Sequence, residues 1–64
     1  MTPEELVGKE YFFEDGNSIK VIQTKRREDG PWITAHICSN SGIPRQLTMP
    51  HLEFIEAYGH LFED

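Results

Sequence analysis

The sequence predicts a mainly β protein, in which a bent antiparallel meander sheet of about four strands is followed by a C-terminal α-helix. β-branched and aromatic residues are concentrated in short runs, which suits a pleated, half-buried surface. Glycine-containing turn sequences separate these runs at short intervals, as in a meander. A proline followed by apolar residues at helical spacing predicts the helix over about residues 50–58. With 64 residues, the chain is predicted to be one domain, residues 1–64.

The first two strands are predicted over residues 11–13 and 18–24, joined by a turn at residues 15–17. Glycine adopts a positive φ without steric cost, so Asp15-Gly16 is a strong hairpin signal. Side chains alternate along a strand, so Tyr11 and Phe13 share one face of the first strand and Phe12 lies on the other. Both faces carry an aromatic ring, and alternation leaves open which of them is buried.

The third strand is predicted over residues 32–38, after a turn at residues 28–31, and its alternation is the clearest in the chain. Its inward positions are Ile33, Ala35 and Ile37. The opposite positions, which are not uniformly polar and therefore predict a binding surface, are Trp32, Thr34, His36 and Cys38.

A fourth strand is predicted over residues 43–47, after a turn at residues 40–42. Pro44 cannot donate a ladder hydrogen bond, which predicts an edge strand or a bulge. Strict alternation also places Arg45 on the inner face, between Ile43 and Leu47, where an unpaired charge is costly. A bulge near Pro44 or Arg45 would remove both conflicts.

Helix signals stand at both ends of the chain. Thr2 as N-cap and Pro3 at the first helical position predict a single helical turn, which Gly8 ends. The C-terminal helix is predicted to start with Pro50 and to end at Gly59 in a left-handed conformation. Its apolar stripe comprises Phe54, Ile55 and Tyr58, flanked by Leu52. The aromatic residues expected to supply the core are Phe12, Phe13, Trp32, Phe54, Tyr58 and Phe62.

The formal net charge is −5, but the charges are unevenly distributed. Residues 18–47 hold five basic and two acidic residues, a net of +3, whereas the two ends hold nine acidic residues and Lys9, a net of −8. Residues 25–30, which include Lys25, Arg26 and Arg27, are predicted to form a mobile charged loop. These charges are interpreted either as solvated faces of a small acidic protein or as a local basic site.

Several kinds of site are disfavoured by the sequence. The single cysteine, Cys38, excludes an internal disulfide and a multi-cysteine zinc site. Cys38 and His36 stand two residues apart on a strand, but a packed thiol is favoured over a catalytic pair. The histidines lack zinc-ligand spacing, so no metal, no cofactor and no catalytic residue are predicted. The acidic N-terminus is not a signal peptide, and no apolar run of membrane-spanning length is present, which predicts a cytoplasmic protein without membrane association.

A resemblance to known proteins covers residues 8–58. The residues that carry it are Gly8-Lys9-Glu10-Tyr11, Asp15-Gly16, Ile19-Lys20-Val21, Trp32-Ile33 and the final helix. In these the chain resembles small SH3-like barrel proteins of uncharacterised phage or mobile-element type and, more distantly, Tudor and KOW modules. The resemblance implies a half-open antiparallel barrel capped by the helix. A Tudor-type aromatic cage is not recognisable, so binding of methylated ligands is not implied.

The favoured function is a non-enzymatic accessory or adaptor module that binds another protein through the outer face of the sheet. Tryptophan and arginine are enriched at interface hot spots, which makes Trp32, His36 and Arg45 the expected anchors. The alternative is a nucleic-acid-binding module, in which the basic residues of the second hairpin contact phosphates beside Trp32. Those basic residues are Lys20, Lys25, Arg26 and Arg27. The expected oligomeric state is a monomer or a weak homodimer.

Overall fold

The computed structural model describes residues 2–40 and 42–62, in which one open, four-stranded antiparallel sheet is followed by a C-terminal helix. The elements in chain order are α1 (Pro3–Leu6), β1 (Glu10–Phe12), β2 (Ser18–Arg27), β3 (Gly30–Cys38), β4 (Arg45–Pro50), α2 (His51–Tyr58) and a single 3-10 turn (Gly59–Leu61). The strands lie in the order β1-β2-β3-β4, so each strand pairs with its neighbour in the chain. The predicted mainly β class with a C-terminal helix is confirmed.

The hydrophobic core lies on one side of the sheet, which we call the inner face. The buried apolar side chains are Leu6, Ile19, Val21, Ile33, Ala35, Phe54 and Phe62. Helix α2 packs on β3 and β4, and Leu6 of α1 closes the core beside β2 and β3. The predicted inward positions of β3 are confirmed, since Ile33 and Ala35 are buried and Ile37 is half-buried against the same cluster.

The first strand turns the face that carries Tyr11 and Phe13 toward the core, where Phe13 is half-buried and Tyr11 is 36% exposed. Tyr11 lies opposite Ile19, and its ring meets that of Phe13 edge-on with centroids 5.1 Å apart. Phe12 lies opposite Ser18 on the other side of the sheet and is 67% exposed. The expectation that Phe12 supplies the core is therefore wrong, because no second layer of the described residues covers that side.

Strand β2 is longer than the sequence predicts, and residues 25–27 belong to it. Lys25 lies opposite Trp32, Arg26 opposite Pro31 and Arg27 opposite Gly30. The predicted mobile loop is therefore wrong, because the hairpin closes through a turn of only two residues and Gly30 adopts a φ of +120° beside it. The register of β2 against β3 shifts between Val21 and Gln23, which marks a β-bulge at Ile22.

Strand β4 begins after Pro44, and its pairing with β3 is continuous from Arg45 to Pro50. The bulge expected near Pro44 or Arg45 is thus absent, and the bulge lies in β2 instead. Arg45 is opposite Ile37 and so belongs to the inner-face side, but at the end of the sheet, where it is exposed. Exposure to water, rather than a bulge, removes the cost of its charge. The predicted turn at residues 40–42 includes Ser41, which lies outside the described residues.

Helix α2 differs from prediction at both ends. Pro50 is its N-cap rather than its first helical residue, and Leu52, which flanks the apolar stripe, is 77% exposed. Gly59 has a right-handed φ of −55°, so the predicted left-handed ending is wrong. A Cβ atom on the buried Gly59 would lie 3.1 Å from Cγ2 of Ile55, which shows that glycine provides space here. The 3-10 turn that follows brings Phe62 to Phe54, with ring centroids 5.9 Å apart.

Helix α1 starts with the predicted Thr2 N-cap, which forms a capping box with Glu5. The Glu5 amide donates to Thr2 Oγ1 at 3.3 Å, while the Thr2 amide and hydroxyl donate to Glu5 Oε1 at 3.2 Å and 2.9 Å. These hydrogen bonds stabilise the carboxylate and lower the pKa of Glu5 below its usual value. The bond from the Thr2 hydroxyl has the larger effect, and the bond from the Thr2 amide has the smaller one.

The lowered pKa predicts a pH dependence of the capping box. Since the pKa of Glu5 is lower in the folded state, its contribution to stability is present above the unfolded-state pKa and is lost as the pH falls through the folded-state pKa. We expect an NMR titration of the Glu5 carboxyl carbon to give a lower midpoint in the wild type than in Thr2→Ala. Equal midpoints would show that the capping box does not persist in solution.

Candidate functional site

The side of the sheet opposite the core, which we call the outer face, carries most of the predicted binding residues. The register places Lys20 opposite His36, and Lys25 opposite Trp32. On β4, Gln46 is opposite His36, and Pro50 is opposite Trp32. Between these rows, Thr34 is opposite Gln23 and Thr48, and Cys38 is opposite Ser18. The face therefore combines one tryptophan, two lysines and several small polar groups.

Trp32 is held in position by three contacts. Its indole N–H donates to Asp29 Oδ1 at 3.0 Å, and the guanidinium carbon of Arg27 lies 4.4 Å from the ring centroid. Its carbonyl accepts a hydrogen bond of 3.1 Å from Thr24 Oγ1. A half-buried aromatic side chain that is already ordered loses little conformational entropy when it binds a partner. The contacts of Asp29 and Thr24 with Trp32 are not predicted from the sequence. The only local signal for the Asp29 contact is that an aspartate stands three residues before the tryptophan.

The centre of the outer face beside Trp32 is closely packed although it lacks a covering layer. Thr34 is buried, and its hydroxyl lies 3.3 Å from that of Thr48. His36 and Cys38 follow on β3 and are both half-buried. The exposed ring of Phe12 lies at the far end of the same face, in the row of Ser18 and Cys38. The outer face thus has an aromatic residue at each end, with hydrogen-bonding groups and the paired positions of Lys20 and Glu10 between them.

The predicted site residues divide between the two sides of the sheet. Five of them share the outer face, namely Trp32, His36, Lys20, Lys25 and Arg27. Arg26 lies opposite Pro31, and Arg45 opposite Ile37, so these two belong to the other side. The interpretation of Arg45 as an anchor beside Trp32 and His36 is therefore wrong, because the uninterrupted register of β4 leaves it on the inner-face side.

Arg45 contributes instead to a concavity at the end of the sheet that α2 does not cover. Its volume is about 600 Å³, and its lining residues are Ile37, Ser39, Gly42, Ile43 and Arg45. Ile43 is 86% exposed there. The concavity is open to solvent and combines an apolar wall with one cationic side chain.

No geometry for catalysis or metal binding stands out in the part of the chain that the structure describes. His36 and Cys38 share the outer face, and Cys38 is a free, half-buried thiol. Within residues 2–40 and 42–62, no three His, Cys, Asp or Glu side chains are grouped closely enough to hold a metal ion. The helices of these same ranges are all too short or too polar to cross a bilayer.

Comparisons with known proteins give no relative from which a function could be carried over. No protein-family model matches the chain, no curated protein matches it, and no solved structure matches it.

Proposed function

We propose that this chain is a non-enzymatic accessory module that binds another protein through the outer face of its sheet, with Trp32 as the central anchor. The observation that carries the proposal is the fixed indole ring, which Asp29 and Arg27 hold on a face that no other element within residues 2–40 and 42–62 covers. Buried tryptophans surrounded by contacts that exclude water dominate many interface energies. A preformed anchor favours binding because its ordering cost is already met in the free protein.

The surroundings of Trp32 support the same proposal. Interface cores are enriched in aromatic residues and arginine and depleted in other charges, whereas the rim is polar. Trp32 and the stacked Arg27 fit the core of such a patch, and Thr34 and Thr48 give it a neutral, satisfied floor. Lys20, Lys25 and His36 would then form part of a polar rim.

The test is the Trp32→Ala variant. We expect it to weaken binding to a protein partner about thirtyfold or more, because truncation of a hot-spot tryptophan costs about 2 kcal/mol or more. Partners would be captured from a cell extract by the immobilised full chain and quantified by mass spectrometry. The informative proteins are those that the wild type retains and Trp32→Ala loses.

The matched control is Ile43→Ala, which truncates a more exposed apolar residue away from the outer face. It should retain the same proteins as the wild type. Unfolding curves of both variants separate loss of binding from loss of folding. If a folded Trp32→Ala variant retained every partner, the outer face would not be the binding surface.

A second candidate is a nucleic-acid-binding module, favoured by the position of Lys20, Lys25 and Arg27 on the same face as Trp32. Phosphate contacts make affinity fall steeply with salt, because binding releases counterions. Amide shifts of the labelled protein would be followed while short DNA and RNA duplexes of mixed sequence are added at low and at physiological salt. Shifts at these residues that weaken with salt would favour this candidate, and no shifts at low salt would exclude it.

The other features expected from the sequence stay predictions. These are a relationship to small SH3-like barrel proteins of phages or mobile elements, a cytoplasmic location, and a monomeric or weakly dimeric state.

A further inference from the structure

Strand β2 has an open edge along its second half. Strand β1 pairs with it only over residues 18–20, and the main chain of Gly8 and Lys9 then bonds to Val21 at 2.8 Å and 3.0 Å. Residues 22–27 continue the strand to Arg27, and after the bulge at Ile22 residues 23–27 pair with β3 on one side. Within the described residues, no strand pairs with their other side. Unpaired backbone groups along such an edge are a template for an added strand.

The side chains along this edge are unusually basic. Lys25 and Arg27 belong to the outer face, whereas Arg26 lies on the opposite side, and all three are exposed. A strand added to this edge would lie about 4.8 Å away and would have cations beside it on both of its faces. This arrangement complements acidic side chains at successive positions of the added strand, whichever face each of them takes.

Other occupants fit the edge less well. A second copy of residues 22–27 would bring the same three cations against it, and like charges across a strand pair are unfavourable. The unpaired edge of β4 is less suited to an added acidic strand, because Arg45 is the only cation of β4. Prolines also stand before this strand and at its end, where they cannot donate a ladder hydrogen bond. Charge complementarity therefore favours an acidic partner at the β2 edge.

We propose that an extended, acidic segment of a partner protein binds along residues 22–27 of β2 by strand addition. The inference rests on the proposed function in that the partner is a protein, and it names the chemistry and the conformation of the partner segment. The edge adjoins the Trp32 anchor and shares Arg27 with it. The two proposals can still fail separately, because strand addition is measured at the edge amides and anchoring is measured with Trp32→Ala.

The test titrates the isotope-labelled full chain, at low salt, with an eight-residue peptide in which four successive glutamates are flanked by two valines at each end. Two matched peptides serve as controls, one with lysine in place of glutamate and one with the valines at positions 2 and 7 replaced by proline, so that one of the prolines always removes a donor that faces β2. We expect shift changes at residues 22–27, and slower hydrogen exchange of the amides there that point away from β3, with the acidic peptide alone. The lysine peptide lacks the charge, and the proline peptide cannot complete the ladder.

Charge variants test the contribution of the edge residues. Arg26→Glu should weaken binding of the acidic peptide about fivefold, as expected for reversing one exposed charge. Arg45→Glu makes the same change on the other edge strand and should leave the affinity unaltered. Because both side chains are exposed, both variants should fold.

Three outcomes would overturn the inference. These are equal binding of the acidic and proline peptides, peptide shifts outside residues 22–27 or none at all, and a concentration-dependent dimer that protects the edge amides without peptide. A Trp32→Ala variant that still pairs with the acidic peptide but retains every partner from the extract would contradict the proposed function alone. If the acidic peptide caused no shift changes at residues 22–27 while capture of partners still depended on Trp32, the strand addition alone would be contradicted.

Discussion

Phe54→Ala is expected to lower the free energy of unfolding by about 3–5 kcal/mol, the cost typical of truncating a fully buried phenylalanine. Phe54 has no exposed surface and lies at the centre of the core, with its ring 5.3 Å from that of Tyr58 and 5.9 Å from that of Phe62. A domain of this size is expected to have only about 3–10 kcal/mol of stability in total. The variant should therefore be partly unfolded at room temperature, as measured by urea denaturation with circular dichroism.

The control for this prediction is Leu52→Ala on the same helix. Leu52 is 77% exposed, and alanine is at least as good a helix former, so the change should stay within about 0.5 kcal/mol. A loss of similar size in both variants would mean that α2 is not packed on the sheet through Phe54.

Gly16→Ala is the second substitution with a large expected effect, a loss of about 2–3 kcal/mol. Gly16 has a φ of +92°, which costs an alanine about 1–2 kcal/mol. An added Cβ would also overlap the side chain of Asn40, whose amide group donates to the Asp15 carbonyl and whose main-chain N–H donates to Asn17 Oδ1 at 3.2 Å. Displacing Asn40 breaks these two hydrogen bonds, worth about 1 kcal/mol together at an exposed site.

Gly8→Ala separates the cost of a positive φ from the cost of displacing Asn40. Gly8 has a similar φ of +94°, but a Cβ atom there would meet no atom within 4 Å. We expect it to lose only the conformational part, about 1–2 kcal/mol. Equal losses at the two positions, measured by the same denaturation, would mean that Asn40 does not hold the first turn in place.

The turns and the strand faces next to them were predictable because the responsible residues are close in sequence. Gly16 and Gly30 adopt the positive φ values that their turn sequences suggest. The alternation of Ile33 and Ala35 correctly identifies the buried side of β3. The N-terminal cap was also predictable, since Thr2 and Glu5 are three residues apart.

Features that depend on what covers a residue in three dimensions were not predictable in this way. Phe12 is as apolar as Phe13, and only the position of the core decides that Phe12 is exposed. The role of Gly59 depends on the nearby side chain of Ile55 rather than on the turn conformation that glycine usually signals. The charge of Arg45 is tolerated because α2 leaves that end of the sheet open.

The candidate site was predictable in part. Alternation along β3 alone places Trp32 and His36 together, and the structure agrees. The stacking of Arg27 on Trp32 and the hydrogen bond from Trp32 to Asp29 depend on where the hairpin turns. The charged residues 25–29 do not indicate that position, because all of them are equally polar. A run of three basic residues predicts a loop because polar side chains favour solvent, but the side chains of an exposed edge strand are equally polar.

The extra residue in β2 also sets the charge of the face that carries Trp32. Before Ile22 the odd-numbered residues of β2, Ile19 and Val21, point to the core, and after it the even-numbered ones lie on that side. Lys25 and Arg27 are therefore on the outer face, whereas an uninterrupted strand would present Arg26 there alone. Loss of the bulge with Ile22 retained would shift the residues after it by one position and exchange two cations for one without altering any basic residue. In evolution, a substitution that let Ile22 pair regularly would therefore change the charge of the binding surface, whereas deletion of Ile22 would leave Lys25 and Arg27 on it.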